Sequence, residues 1–145
     1  MESTDQQILA LLARDGRMSY TDIGRETGLS TSAAQQRVRR LEQRGVITGY
    51  RALVDPGSLG KVLTAMIELR ATDPDAEELV PERIAELPEV VTCYSVAGDA
   101  SHMLIAQVGT PLELESLLTK IRTSARVSTR TTLVLSVPFE HRPLV

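Results

Sequence analysis

The sequence predicts an α+β chain in which a three-helix domain at the N terminus is joined by a strand linker to a C-terminal βαββαβ domain. Three observations predict this. Two helix starts with side-chain caps lie on either side of Gly28, a β-branched run follows at 46–54, and from Lys61 onward alternating strand patterns take over from helical ones. With 145 residues, 42% hydrophobic content and moderate charge, the chain is globular and has room for one domain or two small ones.

In the head, Ser3, Thr4 or Asp5 can cap a first helix whose Ile8, Leu9, Leu11 and Leu12 give a broad apolar face, ending near Asp15 and Gly16. Ser19 and Asp22 form a near capping box for a second helix, with Met18 and Ile23 at the spacing of a hydrophobic staple. Gly28 stops that helix by taking a left-handed conformation at no Cβ penalty, and Ser30 caps a third helix one residue after Leu29. Two helices joined by so tight a turn read as a helix-turn-helix. In the third helix Ala34, Val38 and Leu41 make one buried stripe, and Gly45 is placed to close it. Ile8, Leu12, Ile23, Leu29, Val38, Leu41 and Ile47 are the expected core, which is small for a unit of this length.

The opposite face of the third helix carries the candidate DNA-binding residues: Ser30, Thr31, Ser32, Gln35, Gln36, Arg39 and Arg40, with Arg37 on its flank. A small, polar first turn permits close approach to a major groove, glutamine and arginine can read base edges, and the arginines further along can clamp phosphates. Between Gln35 and Arg51 there are five arginines against one acid, Glu42. Residues 1–55 carry eight basic and seven acidic residues, a net of +1, whereas 56–145 carry eight and twelve, a net of −4. Only the head is therefore suited to meet nucleic acid.

Val46–Val54 reads as a strand with no partner in the helical head, which makes it a connector whose ladder lies elsewhere, for example with its own copy in a second subunit. The expected domains are 1–46, a connector at 47–60, and 61–145. In the body, Val62–Arg70, Val90–Ala97, His102–Val108 and Val127–Val137 read as strands, with a helix over Asp73–Leu87 in which Pro81 must fall in the first turn. Thr110-Pro111-Leu112-Glu113 combines cap, N1 proline and capping-box glutamate ahead of a helix to about Ser124. Cys93 is expected as a small buried strand residue, and a single cysteine excludes a disulfide framework or a multi-cysteine zinc site. The βαββαβ order is that of a ferredoxin-like unit.

In this order the segments DQQILALLARDGR, IGRETGLS, QRVRRLEQRGVITGY, LPEVVTCYSVAGD and HMLIAQV resemble the Lrp/AsnC family, the feast/famine transcription regulators, over nearly the whole chain. The resemblance implies that the third helix is a recognition helix for double-stranded DNA, and that the chain forms a homodimer which assembles into an octamer or other higher ring. It also implies a free amino acid effector bound near the turn between the second and third body strands. The candidate effector residues there are Gly98, Asp99, Ser101 and His102, with hydroxyls at Thr131 and Thr132 able to meet a carboxylate. Ser101 stands where the family's turn carries a second acidic residue.

No catalytic residue, metal site or cofactor is expected. His102 and His141 lie far apart, and no phosphate loop, nucleophile elbow or metal-ligand spacing is present. Without a run of about 18 apolar residues or a basic-then-apolar leader, the expectation is a cytoplasmic protein that meets no membrane. The competing reading is a ferredoxin-like small-molecule-binding protein or small enzyme whose helical head binds protein rather than DNA.

Overall fold

Helix-forming segments punctuated by serine caps and glycine stops make up the first of two units in the computed structural model, which describes all 145 residues. This unit comprises Met1–Leu53 and Pro138–Val145; the second is Val54–Val137. Helix α1 spans Ser3–Arg14, α2 Tyr20–Thr27 and α3 Thr31–Gln43.

The caps around Gly28 are as the spacing predicts. Ser19 Oγ accepts from the Asp22 N–H at 3.1 Å and Ser30 Oγ from the Ala33 N–H at 3.1 Å. Gly28 takes φ 75°, and Gly45, at φ 71°, follows α3 with its N–H on the Glu42 carbonyl. The other half of the Ser19 box is missing, because the Asp22 carboxylate turns to Arg25 at 3.2 Å. Nor do Ser3, Thr4 or Asp5 cap α1. The cap position is Glu2, without a side-chain cap bond, and its carboxylate is held by Arg37 instead. Ile8, Ile23, Ala34, Val38 and Leu41 are buried together, with Leu9, Leu12, Met18, Tyr20, Leu29 and Ile47 packed against them. At roughly 1.5–3 kcal/mol for each large aliphatic side chain, this is a thin margin against chain entropy.

The expected strand at Val46–Val54 does not form. A strand needs a ladder partner for its N–H and C=O groups, and one copy of the chain offers none to this segment. Tyr50 ties it to α3 by donating its phenol proton to Glu42 at 3.1 Å; partial burial and that bond push the phenol pKa up to about 12.

The second unit opens on a 3-10 turn, Pro56–Leu59, capped by Asp55, which accepts from the N–H groups of Gly57 and Ser58 and from the Ser58 hydroxyl. Strands β1 (Leu63–Ala71), β2 (Val90–Ser95), β3 (His102–Val108) and β4 (Val127–Val134) form one antiparallel sheet in the order β2-β3-β1-β4. This is the ferredoxin-like arrangement, with the central pair β1 and β3 in register at Ile67 opposite Leu104 and the edge strand β4 added with Thr131 opposite Ile67. Alternation sends Ala65, Ile67, Leu69, Leu104, Ala106 and Val108 to one face. There they meet Leu114, Leu117, Ile121 and Ala125 of helix α6 (Pro111–Ala125) and Val80 and Ile84 of helix α5 (Val80–Ile84). The other face carries Met66, Tyr94, Met103, Ile105 and Val134; of these Met66 and Tyr94 are exposed.

Four expectations for the body need correction. The helix over Asp73–Leu87 is two short helices, α4 (Pro74–Glu77) and α5, because Pro81 has no N–H for the carbonyl one turn back and is tolerated only in a first turn. Strand β2 stops at Ser95, where pairing with His102 ends. Strand β4 stops at Val134 rather than Val137, since its pairing with β1 ends at Thr64 opposite Val134 and β1 itself begins only one residue earlier, at Leu63. Cys93 lies in β2 but is exposed, because β2 is an edge strand beyond the cover of α6.

Thr110 accepts from the Glu113 N–H at 3.1 Å, and the Glu113 carboxylate accepts from the Gly109 N–H at 2.6 Å. A Cβ on Gly109 would lie 2.8 Å from the Gly60 carbonyl oxygen, so these two backbones approach as closely as glycine permits. Thr110→Ala is expected to cost the unit about 1 kcal/mol, read as a lower urea midpoint, while Thr110→Ser retains most of that stability.

Candidate nucleic-acid interface and ligand groove

The first surface is the exposed side of α3. Thr31, Ser32, Gln36, Arg39 and Arg40 are exposed and Gln35 half-buried, on the side away from Ala34, Val38 and Leu41. The hydroxyls of the first turn form a small network: Ser30 Oγ lies 3.3 Å from Ser32 Oγ, and Thr31 donates to Thr21 Oγ1 of α2 at 3.4 Å. Thr21 is a contributor that sequence reasoning missed, since only the packing of α2 on α3 brings it beside Thr31. Arg39 and Arg40 make no ion pair, which leaves two cations free on one face.

Arg37 is placed differently. Its guanidinium Nη1 lies 2.7 Å from Glu2 Oε2 and 3.0 Å from Asp5 Oδ1, and its side chain is only 27% exposed. Those hydrogen bonds, Glu2 first and Asp5 second, raise its pKa further. The side chain fastens α1 and its cap residue to α3. Asp5 is buried, so removing its cation is expected to destabilise the head: Arg37→Met should lower the melting temperature, and adding Asp5→Asn should recover part of the loss.

The second surface is a groove of about 450 Å³ at the turn between β2 and β3. It brings together Gly98, Asp99 and Ser101, as the sequence suggests, with Arg70, Asp73 and Glu77, which it did not. The missed signal was topological. With β1 beside β3, the end of β1 must reach the start of β3, and Arg70 stands there, its Nη2 3.4 Å from Asp99 Oδ2. Gly98 adopts φ 149°, a region in which side chains are strained. Ser101 fixes the turn to β1 twice, its N–H at 2.9 Å and its hydroxyl at 3.2 Å from the Leu69 carbonyl. His102 is 5% exposed and lines an adjoining groove of about 390 Å³ together with Glu77 and Glu78.

Thr131 and Thr132 are not part of either groove. They lie on β4, the edge strand opposite β2, and point to opposite faces, Thr131 opposite Ile67 and Thr132 opposite Met66. No group of three or more His, Cys, Asp or Glu side chains is arranged to hold a metal ion. No helix is long and apolar enough to cross a membrane.

Fold and surfaces together define a class: a helix-turn-helix protein with an appended ferredoxin-like unit. Residues 1–42 match the AsnC-type helix-turn-helix domain and residues 63–144 the Lrp/AsnC ligand binding domain. The chain is 40% identical over 142 residues to the HTH-type transcriptional regulator LrpA of Mycobacterium tuberculosis, covering 98% of this chain and 95% of that protein. It is 35% identical over 139 residues to the leucine-responsive regulatory protein of Haemophilus influenzae, covering 93% and 84%. Among solved structures, a feast or famine regulatory protein from M. tuberculosis complexed with L-methionine superposes with a TM-score of 0.94 at 40% identity, covering 97% of this chain and 96% of that one. The chain belongs to the Lrp/AsnC family. It is a transcription regulator and not an enzyme.

Proposed function

We propose that this regulator binds double-stranded DNA sequence-specifically through α3 and that a free amino acid modulates its DNA binding or its assembly. The observation that carries the DNA half is the pair of unengaged arginines, Arg39 and Arg40, on the same exposed face as Gln36 and the hydroxyls of Ser30, Thr31 and Ser32. Gln35 and Gln36 are assigned to base edges and the two arginines to phosphates. Arg37 is assigned to holding α3 in place.

The effector site is assigned to the groove at Gly98, Asp99 and Ser101, with Arg70 as the cation for the effector's carboxylate and His102 on its border. L-methionine bound to the M. tuberculosis relative supports an amino acid as the ligand class. For assembly, the uncovered sheet face bearing Met66 and Tyr94 and the unladdered segment Val46–Val54 are the surfaces a second copy would cover, giving a homodimer from which an octamer or another ring is built. The protein is proposed to work in the cytoplasm.

The test is a mobility-shift titration against the DNA upstream of its own gene, at several salt concentrations, run alongside static light scattering with and without a panel of amino acids. Expected are a specific shift with steep salt dependence, a mass above that of the monomer, and a change in one of the two on adding an effector. A shift no tighter on that DNA than on unrelated duplex would reject sequence-specific recognition, and indifference to every amino acid would reject the effector.

A further inference from the structure

Three segments of the head meet at Tyr50. Its phenol donates to Glu42 in the last turn of α3 at 3.1 Å, and a Cβ on Gly16, between α1 and α2, would lie at an ordinary packing distance of 3.6 Å from Tyr50 Cδ1. The way α3 ends leads the chain there. Gly45 turns it back, the N–H groups of Val46 and Ile47 both donate to the Leu41 carbonyl, and Ile47 packs on the helical core. Each segment carries an arginine next to this junction: Arg17 follows Gly16, Arg44 stands two residues after Glu42, and Arg51 follows Tyr50.

All three arginines are exposed and none makes an ion pair. The acids at the junction are bonded elsewhere. Asp15 accepts from the Arg17 backbone N–H at 2.9 Å, and Glu42 accepts from Tyr50. Cations gathered by the fold without partners repel one another, and a polyanion relieves that repulsion.

The length of α3 says which part of a duplex they would meet. With 13 residues it is about 20 Å long, whereas the major groove is about 12 Å wide. A helix that enters by its small polar first turn, Ser30 to Ser32, therefore has its last turn outside the groove, over the sugar-phosphate rim. Arg44 caps that end of α3, and Tyr50 ties the segments bearing Arg17 and Arg51 to it.

We infer that Arg17, Arg44 and Arg51 form a second phosphate-contacting patch, assembled on Tyr50, that grips the duplex backbone beside the stretch α3 reads. This rests on the reading that α3 binds duplex DNA and adds contacts from outside that helix's exposed face. Tyr50 is a positioning residue: it holds the connector on α3 and keeps the Glu42 carboxylate from turning to the arginines. A ladder between the connector and a second copy would use backbone groups and leave the Arg51 side chain for the duplex.

Mobility-shift titration of the full chain over a range of salt, on the DNA upstream of its own gene and on an unrelated duplex, tests this. Arg17→Ala, Arg44→Ala and Arg51→Ala combined should flatten the slope of log K against log salt by about 2.7 and weaken binding near 0.15 M salt roughly a hundredfold. The loss should be equal on the two duplexes, because phosphate contacts carry no sequence information. The three side chains are exposed and unpaired, so the melting temperature should hold. Tyr50→Ala should flatten the slope as well although it removes no charge, which loss of packing alone would not do. An unchanged slope in the triple variant, or a loss confined to the preferred DNA, would overturn the patch while leaving α3 as the reader. A full slope in Tyr50→Ala would overturn its assembly on Tyr50, and failure of the unaltered chain to bind either duplex would overturn the DNA reading itself.

Discussion

With Arg39 and Arg40 both replaced by alanine, binding to duplex DNA should fall roughly ten- to a hundredfold near 0.15 M salt, and the slope of log K against log salt should flatten by about 1.8. The slope is the decisive quantity. Each arginine on a phosphate releases condensed counterions, worth about 0.9 in the slope, whereas damage to the fold would lower affinity without changing the number of phosphates met. Both side chains are exposed and neither is engaged in an ion pair, so the head should unfold at its usual temperature. Gln36→Ala, by contrast, should narrow the difference between the preferred site and unrelated duplex while leaving the salt slope alone, because it is assigned to a base edge. An unchanged slope in the double-alanine variant would remove these arginines from the interface.

The second large effect is on stability and comes from a residue that carries no chemistry. Gly24, inside α2, lies against the turn that leads into α3, and a Cβ there would stand 2.5 Å from the Leu29 carbonyl oxygen and 3.3 Å from that of Ser30. Both are backbone atoms and cannot rotate away. Alanine is normally the better helix residue by up to about 1 kcal/mol, so Gly24→Ala in isolation should stabilise α2. Here the collision should dominate and cost roughly 1–3 kcal/mol, prising α2 from α3 and taking DNA binding with it. Gly16→Ala is the control. Its Cβ would meet only Tyr50 Cδ1, at 3.6 Å, and the Leu12 carbonyl at 4.0 Å, both ordinary contacts. Chemical denaturation of the two variants should separate them cleanly; equal midpoints would show that α2 can move off the turn at little cost.

That contrast also shows which parts of the molecule could be read from the sequence. Caps and stops are local, and so Ser19, Gly28, Ser30, Gly45 and Thr110 were legible where they stand. The strands at 63–71 and 102–108 could be inferred because their period-two alternation is strong. What depends on distant partners was not legible. Gly24 looks like an ordinary weak helix residue until the Leu29 carbonyl is seen above it. Arg37 shares a sequence cluster with Arg39 and Arg40, and only the approach of Glu2 and Asp5 from α1 separates its role from theirs. In the body, a run of hydroxyls puts Thr131 and Thr132 forward for the effector; they lie on β4, the edge strand opposite β2, whereas the groove at Gly98 is lined by Arg70 from the end of β1 and by Asp73 and Glu77 at α4, which only the fold brings there. The Val46–Val54 run has strand composition without a ladder, because composition supplies a preference and only a neighbouring backbone supplies the bonds.

The near-contact of Gly60 with Gly109 has a mechanical side. A Cβ on the residue before Thr110 would stand 2.8 Å from the Gly60 carbonyl oxygen, and the Glu113 carboxylate, 3.1 Å from that same point, holds the Gly109 amide there. The point where the connector enters the ferredoxin-like unit is thus soldered to the leading end of α6. A methyl group at Gly109 would have to push the Gly60 carbonyl aside, so even this smallest side chain should wedge the junction open.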